Sequence, residues 1–177
     1  MLDDIRIGEV YLAADEIAAR VAELGEELAR DYEGREPLLV GALKAGVVFT
    51  VDLSRQTPIL HHLDFVEIAG YGNHETGGHT QIRFLKDLDE EIEGRHVVLV
   101  EEVVDTGLTL NYLVRSLALR HPASLHIATL FERPYRRLVD DLPVRYVGFT
   151  IPDEFFVGYG FELRERYRNL PDLRLVR

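Results

Sequence analysis

The sequence of 177 residues contains no cysteine. Disulfides and thiolate metal sites are therefore excluded, and the absence accords with a reducing compartment. No apolar stretch approaches the ~20 residues that a membrane helix requires. The first residues, Met1-Leu2-Asp3-Asp4-Ile5-Arg6, show no basic segment leading into an apolar run, so no secretory signal is expected. These features together point to a cytoplasmic protein without a membrane partner. Basic charge is scarce as well: 20 Lys and Arg against 31 Asp and Glu give a formal net charge of −11. Such a surface repels a phosphate backbone, which argues against long nucleic acids as partners. A small polyphosphate would need metal ions or a local basic pocket to approach. There is no Walker-type lysine loop and no G-x-G-x-x-G pattern, which disfavours an NTPase or a dinucleotide enzyme. No repeat, low-complexity tract or linker interrupts the chain. One domain over residues 1–177 is expected, long enough to bury a full core.

Alternating helical and strand patterns fill that length. Ile17, Val21, Leu24 and Leu28 share one face of a helix over residues 14–32, with Asp15 as its cap and Gly34 as its stop. Strands are expected over 38–43, 59–68, 81–85, 97–100, 125–131 and 144–150. Helices are expected over 46–55 and around Leu110, Leu113, Val114 and Leu117. Residues 69–79 hold four glycines and almost no large apolar side chain, which marks a loop. Strands alternating with helices give an α/β fold with an open, mostly parallel twisted sheet flanked by helices. The histidines form no metal-ligand spacing. His61 and His62 would face opposite sides of a strand, and His74 and His79 share the loop.

The chemistry concentrates in Val97-Val98-Leu99-Val100-Glu101-Glu102-Val103-Val104-Asp105-Thr106-Gly107-Leu108-Thr109. A continuous apolar run suits a strand buried on both faces. It leads into two adjacent carboxylates, a third carboxylate, and a Thr-Gly-Leu-Thr turn that opens a helix. Ligands in open α/β sheets bind beyond the carboxyl ends of strands. Backbone N–H groups and hydroxyls at a helix start suit a phosphate. Glu101 and Glu102 can accept hydrogen bonds from sugar hydroxyls and attract a bridging metal. Phosphate and ribose recognised side by side imply a ribose-phosphate ligand.

This segment resembles the ribose-phosphate motif of type I phosphoribosyltransferases. The resemblance covers nearly the whole chain and is strongest to bacterial hypoxanthine-guanine phosphoribosyltransferases. Leu43-Lys44-Ala45-Gly46, Tyr71-Gly72, Lys86-Asp87-Leu88, residues 147–160 and Arg166-Tyr167-Arg168-Asn169-Leu170-Pro171 carry it. It implies the type I phosphoribosyltransferase fold, with a small hood formed by terminal segments. It also implies Mg2+-dependent transfer of a phosphoribosyl group from 5-phosphoribosyl 1-pyrophosphate to a 6-oxopurine, in purine salvage, by a homodimer or homotetramer.

The resemblance also assigns roles. Asp105 is the catalytic proton acceptor near N7 of the purine. The phosphoribosyl pyrophosphate site comprises Lys44, Ala45, Glu101, Glu102, Asp105, Thr106, Gly107, Leu108, Thr109 and Arg168, with a cis peptide before Lys44. The base would stack on Phe155 and meet the backbone of Phe156 and Val157. Arg133 would read the 6-oxo group, in place of the family's lysine, and Glu162 completes the base side. Glu101, Glu102 and Glu162 would serve the metal. Gly70 and Tyr71 belong to a lid over residues 70–80.

Five positions depart from the family pattern: Ala45, Gly70, Glu102, Arg133 and Glu162. They motivate two alternatives, a preference for xanthine or another purine, and a regulator that binds the phosphoribosyl ligand without catalysis. Plainer readings stand beside the assignments: Asp105 as a helix cap, Phe155 and Phe156 as core, and Lys44, Arg133, Glu162 and Arg168 as surface charges.

Overall fold

The computed structural model describes residues 7–71 and 81–177, without the side chains of residues 70, 71, 81 and 82. The lid expected over residues 70–80 therefore falls largely outside the described residues, as do the Tyr71 side chain, His74 and His79. Nine strands and three α-helices follow in order among the described residues: β1 (Ile7–Leu12), α1 (Ala14–Asp31), β2 (Leu38–Leu43), α2 (Val47–Gln56), β3 (His62–Tyr71), β4 (Gln81–Lys86), β5 (His96–Val104), α3 (Leu108–Ala118), β6 (Ser124–Glu132), β7 (Val144–Thr150), β8 (Phe156–Val157) and β9 (Leu173–Val176).

The main sheet has the order β4-β3-β2-β5-β6-β7. All its pairings are parallel except β3 with β4. Alternation along the central strands builds two cores. Leu39, Val98 and Val100 face Ile17, Val21, Leu24 and Leu28 of α1 and Phe49 and Leu53 of α2. Leu38, Val40, Val97 and Leu99 face Leu110, Leu113 and Leu117 of α3. The sheet is therefore apolar on both sides and covered by helices on both, and its C-terminal strand ends gather at one edge.

The hood is a second, antiparallel sheet of order β1-β9-β8, built from the two ends of the described chain. The Tyr159 hydroxyl donates to Asp52 Oδ2 on α2 at 2.9 Å and ties the hood to the main body.

Two local expectations are corrected. Asp15 does not cap α1. Ala13 holds the N-cap position, and its N–H donates to Glu16 Oε2 at 2.9 Å, so the first-turn glutamate serves the helix end. The strand expected over 59–68 begins later, at His62, and runs on to Tyr71. His61 stands outside it, because its ring is held by Ser54 Oγ and the Ile59 carbonyl, both at 2.8 Å. Parallel pairing starts only at Leu38 with His62.

Candidate active site

Strand β5 runs from buried Val97 to half-buried Glu101 and turns at Asp105 and Thr106. Gly107 then takes φ 80°, a left-handed conformation that glycine adopts without cost. The Asn111 N–H donates to the Gly107 carbonyl at 2.8 Å, closing the first turn of α3. The result is a pocket of about 240 Å³ lined by Glu101, Asp105, Thr106, Gly107 and Thr109, with Leu43, Ile68, Leu110 and Leu113 among its apolar walls. Five of the residues expected to hold a ribose phosphate thus meet around one space. Leu108 contributes no wall, and its side chain is exposed.

Glu101 and Glu102 point to opposite sides of the strand, as alternation requires. Burial pushes the Glu101 carboxyl up to about 8. A cation or hydroxyl donors arriving in the pocket would draw it to its charged form. Glu102 is only 2% exposed. Burial and then the neighbouring Glu101 raise it well above the ordinary carboxylate range, against the pull of Arg168 and Arg133. Its Oε1 is buried without a hydrogen-bond partner. That oxygen lies against Gly160, where an added Cβ would overlap both it and the Ala45 carbonyl.

The three carboxylates expected to share the metal do not form one set. Among the described residues, no group of three or more His, Asp or Glu side chains is arranged to hold a metal ion. Glu101 faces the pocket and Glu102 faces Gly160. Glu162 Oε2 accepts the Glu165 N–H at 2.5 Å.

Lys44 follows a cis Leu43–Lys44 peptide, as the resemblance implied. Ala45 has no positive φ, so its Cβ meets no backbone conflict. Lys44 Nζ lies 3.2 Å from Glu165 Oε2, and Arg168 NH2 lies 3.3 Å from Glu165 Oε1. The two cations expected to hold pyrophosphate therefore converge on one exposed carboxylate. Arg168 is also anchored through NH1 to the Gly160 carbonyl at 2.8 Å.

On the base side the plainer readings separate. Phe155 is 57% exposed and free to stack, whereas Phe156 is 2% exposed and packs with Tyr11 and Phe161. The Phe156 and Val157 side chains belong to the core, so only their backbone can meet a ligand. Arg133 is no surface arginine: it is 8% exposed. Its guanidinium lies 5.9 Å from the Phe156 ring centre and 6.0 Å from that of Phe161. NH2 donates to the Glu154 carbonyl at 3.0 Å, and Nε is buried without a partner. NH1 stands 3.7 Å from Asp105 Oδ2.

Sequence reasoning missed Arg136 and Asp153. Arg136 Nε lies 2.9 Å from Asp105 Oδ1, and its NH1 lies 2.8 Å from Asp153 Oδ1. The signal was present: Arg133-Pro134-Tyr135-Arg136-Arg137 follows directly on the C-terminal end of β6. Glu165 was missed too, and no spacing marks it. It reaches Lys44 through a turn in which Arg164, Glu165 and Tyr167 take φ of 54°, 61° and 75°.

Comparisons with known proteins place nearly the whole chain among relatives. The model of the phosphoribosyl transferase domain matches residues 9–164. The chain is 44% identical over 170 residues to a hypoxanthine-guanine phosphoribosyltransferase of Mycobacterium avium, covering 93% of this chain and 83% of that protein. It is 45% identical over 165 residues to a hypoxanthine phosphoribosyltransferase of Salmonella typhimurium, covering 92% of each. It is also 40% identical to a bifunctional TilS/HprT protein of Listeria monocytogenes, of which it spans 26%. A crystal structure of a Bacillus anthracis hypoxanthine-guanine phosphoribosyltransferase superposes with a TM-score of 0.90 at 37% identity, covering 98% of this chain and all of that one.

Proposed function

The chain belongs to the phosphoribosyl transferase family, and from that premise we propose that it transfers the 5-phosphoribosyl group of 5-phosphoribosyl 1-pyrophosphate to N9 of hypoxanthine or guanine, releasing pyrophosphate. The observation that carries the reading is the single pocket shared by Glu101, Asp105, Thr106, Gly107 and Thr109. The backbone N–H groups at the start of α3 and the two threonine hydroxyls receive the 5-phosphate. Glu101 accepts from the ribose hydroxyls. Lys44 and Arg168 hold the pyrophosphate, which takes the place of Glu165 between them. Phe155 stacks on the base, and the Arg133 guanidinium donates to its 6-oxo oxygen. Asp105 accepts the proton from N7 as N9 attacks, a role typically worth ~10²–10⁴ in rate.

Magnesium fits this site in an open arrangement. It is commonly held by one or two carboxylates together with substrate phosphates rather than by a closed protein cage. Glu101 in the pocket would supply one such carboxylate, and Glu102, on the other side of the strand, and Glu162 would reach the ion through water. When bound, the ion neutralises charge on the departing pyrophosphate. One domain over residues 1–177, a cytoplasmic location and a homodimer or homotetramer complete the reading.

A second reading, preference for xanthine, is favoured by one observation. The buried Arg133 keeps an unpartnered Nε and presents a fork where the family has a single ammonium. Nucleotide formation separates the two. The protein is mixed with 5-phosphoribosyl 1-pyrophosphate, magnesium and, separately, hypoxanthine, guanine, xanthine and adenine. Turnover with hypoxanthine or guanine supports the main reading, and turnover with xanthine alone supports the second. No turnover with any base overturns both.

A further inference from the structure

We propose that Arg136 positions Asp105 for the transfer, by engaging one oxygen of its carboxylate and leaving the other to the N–H of the purine. The inference rests on the reading of Asp105 as proton acceptor given above.

The guanidinium of Arg136 spans two carboxylates. Its Nε pairs by charge with Asp105 Oδ1 at 2.9 Å, without the geometry of a hydrogen bond, so that this buried oxygen has no hydrogen-bond donor among the described residues. Its NH1 donates to Asp153 Oδ1 at 2.8 Å. Asp153 lies two residues before Phe155, so the same fork touches the proton acceptor and the segment that carries the stacking ring. The backbone beneath it is held at several points. The Arg136 N–H donates to the Arg133 carbonyl at 3.0 Å, and the Leu138 N–H donates to the Thr106 carbonyl at 2.9 Å. The Tyr135 hydroxyl donates to the Ile151 carbonyl at 2.6 Å. The short turn Pro134–Arg136 is thereby tied both to the phosphate loop and to the strand leading to the base.

The other oxygen, Oδ2, has Arg133 NH1 at 3.7 Å, too far for a hydrogen bond. Oδ1 is buried beside Arg136, so Oδ2 is the oxygen left to the base. Holding the carboxylate in place favours the reacting geometry, and a misplacement of ~1 Å can cost about 10²-fold in rate. Loss of Arg136 therefore slows turnover. Arg136 is 40% exposed on its side chain. Its ion pairs contribute little to stability, and its variants should fold.

The test measures kcat and both KM values for the native protein, Arg136→Gln, Arg136→Lys, Asp153→Asn, Asp105→Asn and the double variant Arg136→Gln with Asp105→Asn. Arg136→Gln should lose roughly tenfold or more in kcat, with the KM for 5-phosphoribosyl 1-pyrophosphate within about twofold of native. Arg136→Lys keeps the charge without the fork and should recover part of the loss. In the Asp105→Asn background, removing Arg136 should cost nothing further, because it acts through Asp105. Native kcat in Arg136→Gln overturns the proposal, and so does an undiminished further loss in the double variant. If Arg136→Gln does not fold, Asp153→Asn carries the test: a lower kcat supports the proposal and a native kcat overturns it. Native turnover in Asp105→Asn defeats the reading of Asp105 itself, and this inference falls with it.

Discussion

The buried carboxylate of Glu102 lies against the Cα of Gly160, in a place that a side chain at position 160 would fill. Gly160 also takes φ 100°, which L-residues rarely adopt. Gly160→Ala must therefore displace Glu102 or the Ala45 carbonyl and strain its own backbone. We expect a loss of about 2–3 kcal/mol in urea unfolding and a collapse of nucleotide formation. Native stability in that variant would show that the hood does not press on the Glu102 carboxylate.

Glu102 itself sets a pH dependence. Its folded-state pKa is raised by burial and by Glu101. The stability linked to it is complete below the unfolded value, ordinarily 4.5, and falls as pH rises toward the folded one. Glu102→Gln removes that loss. The variant should unfold at higher urea than the native protein at pH 8, and the gap should shrink toward pH 5. A gap independent of pH would mean that Glu102 is charged throughout.

Asp64 gives the opposite sign. Its carboxylate accepts from the Phe65, Asp89 and Glu90 N–H groups at 2.7, 2.8 and 3.2 Å and from Lys86 Nζ at 3.1 Å. Burial works against its charge, yet these donors hold it below the ordinary 3.8. The stability it contributes is present above 3.8 and is lost as pH falls through the lower folded value. Asp64→Asn should cost about 2 kcal/mol at pH 7 and progressively less below about pH 4. An equal cost at pH 7 and pH 3 would contradict it.

Lys44 and Arg168 share Glu165 in a solvent-exposed arrangement. Exposed pairs are worth at most about 1 kcal/mol, which caps the competition that Glu165 offers to pyrophosphate. Glu165→Gln should lower the KM for 5-phosphoribosyl 1-pyrophosphate by up to about fivefold, with kcat little changed. An unchanged or raised KM would mean that the carboxylate supports the turn instead of competing.

Phe155 is exposed while Phe156 is core. Phe155→Ala should raise the KM for the base by roughly tenfold, since base stacking on an aromatic is worth ~1–3 kcal/mol. Its melting temperature should stay near native. A large loss of stability would place Phe155 in the core instead.

What the sequence disclosed and what it hid divide along range. Ile17, Val21, Leu24 and Leu28 announced their helix because helical period is local, and all four are buried. The run from Val97 to Val100 announced a central strand for the same reason. The hood strands were harder to see individually. β8 has two residues, and β1 pairs Ile7 with Val176, a contact that no local pattern encodes. In the site, Asp105 and its threonines were legible because one contiguous loop carries them. Arg136 was marked only by its place in the basic run after β6, and Glu165 by nothing, because each meets its partner through folding: Arg136 with Asp105 across two strand ends, and Glu165 with Lys44 across 121 positions. Glu101, Glu102 and Glu162 were read as one set from their residue types, but alternation sends Glu101 and Glu102 to opposite sides of the strand, which adjacency in sequence does not disclose.

The most direct measurement compares kcat for hypoxanthine or guanine in the native protein and in Asp105→Asn, with binding of 5-phosphoribosyl 1-pyrophosphate measured in parallel. The account predicts a loss of ~10²–10⁴ in kcat with binding retained. Equal turnover in the two proteins would contradict it.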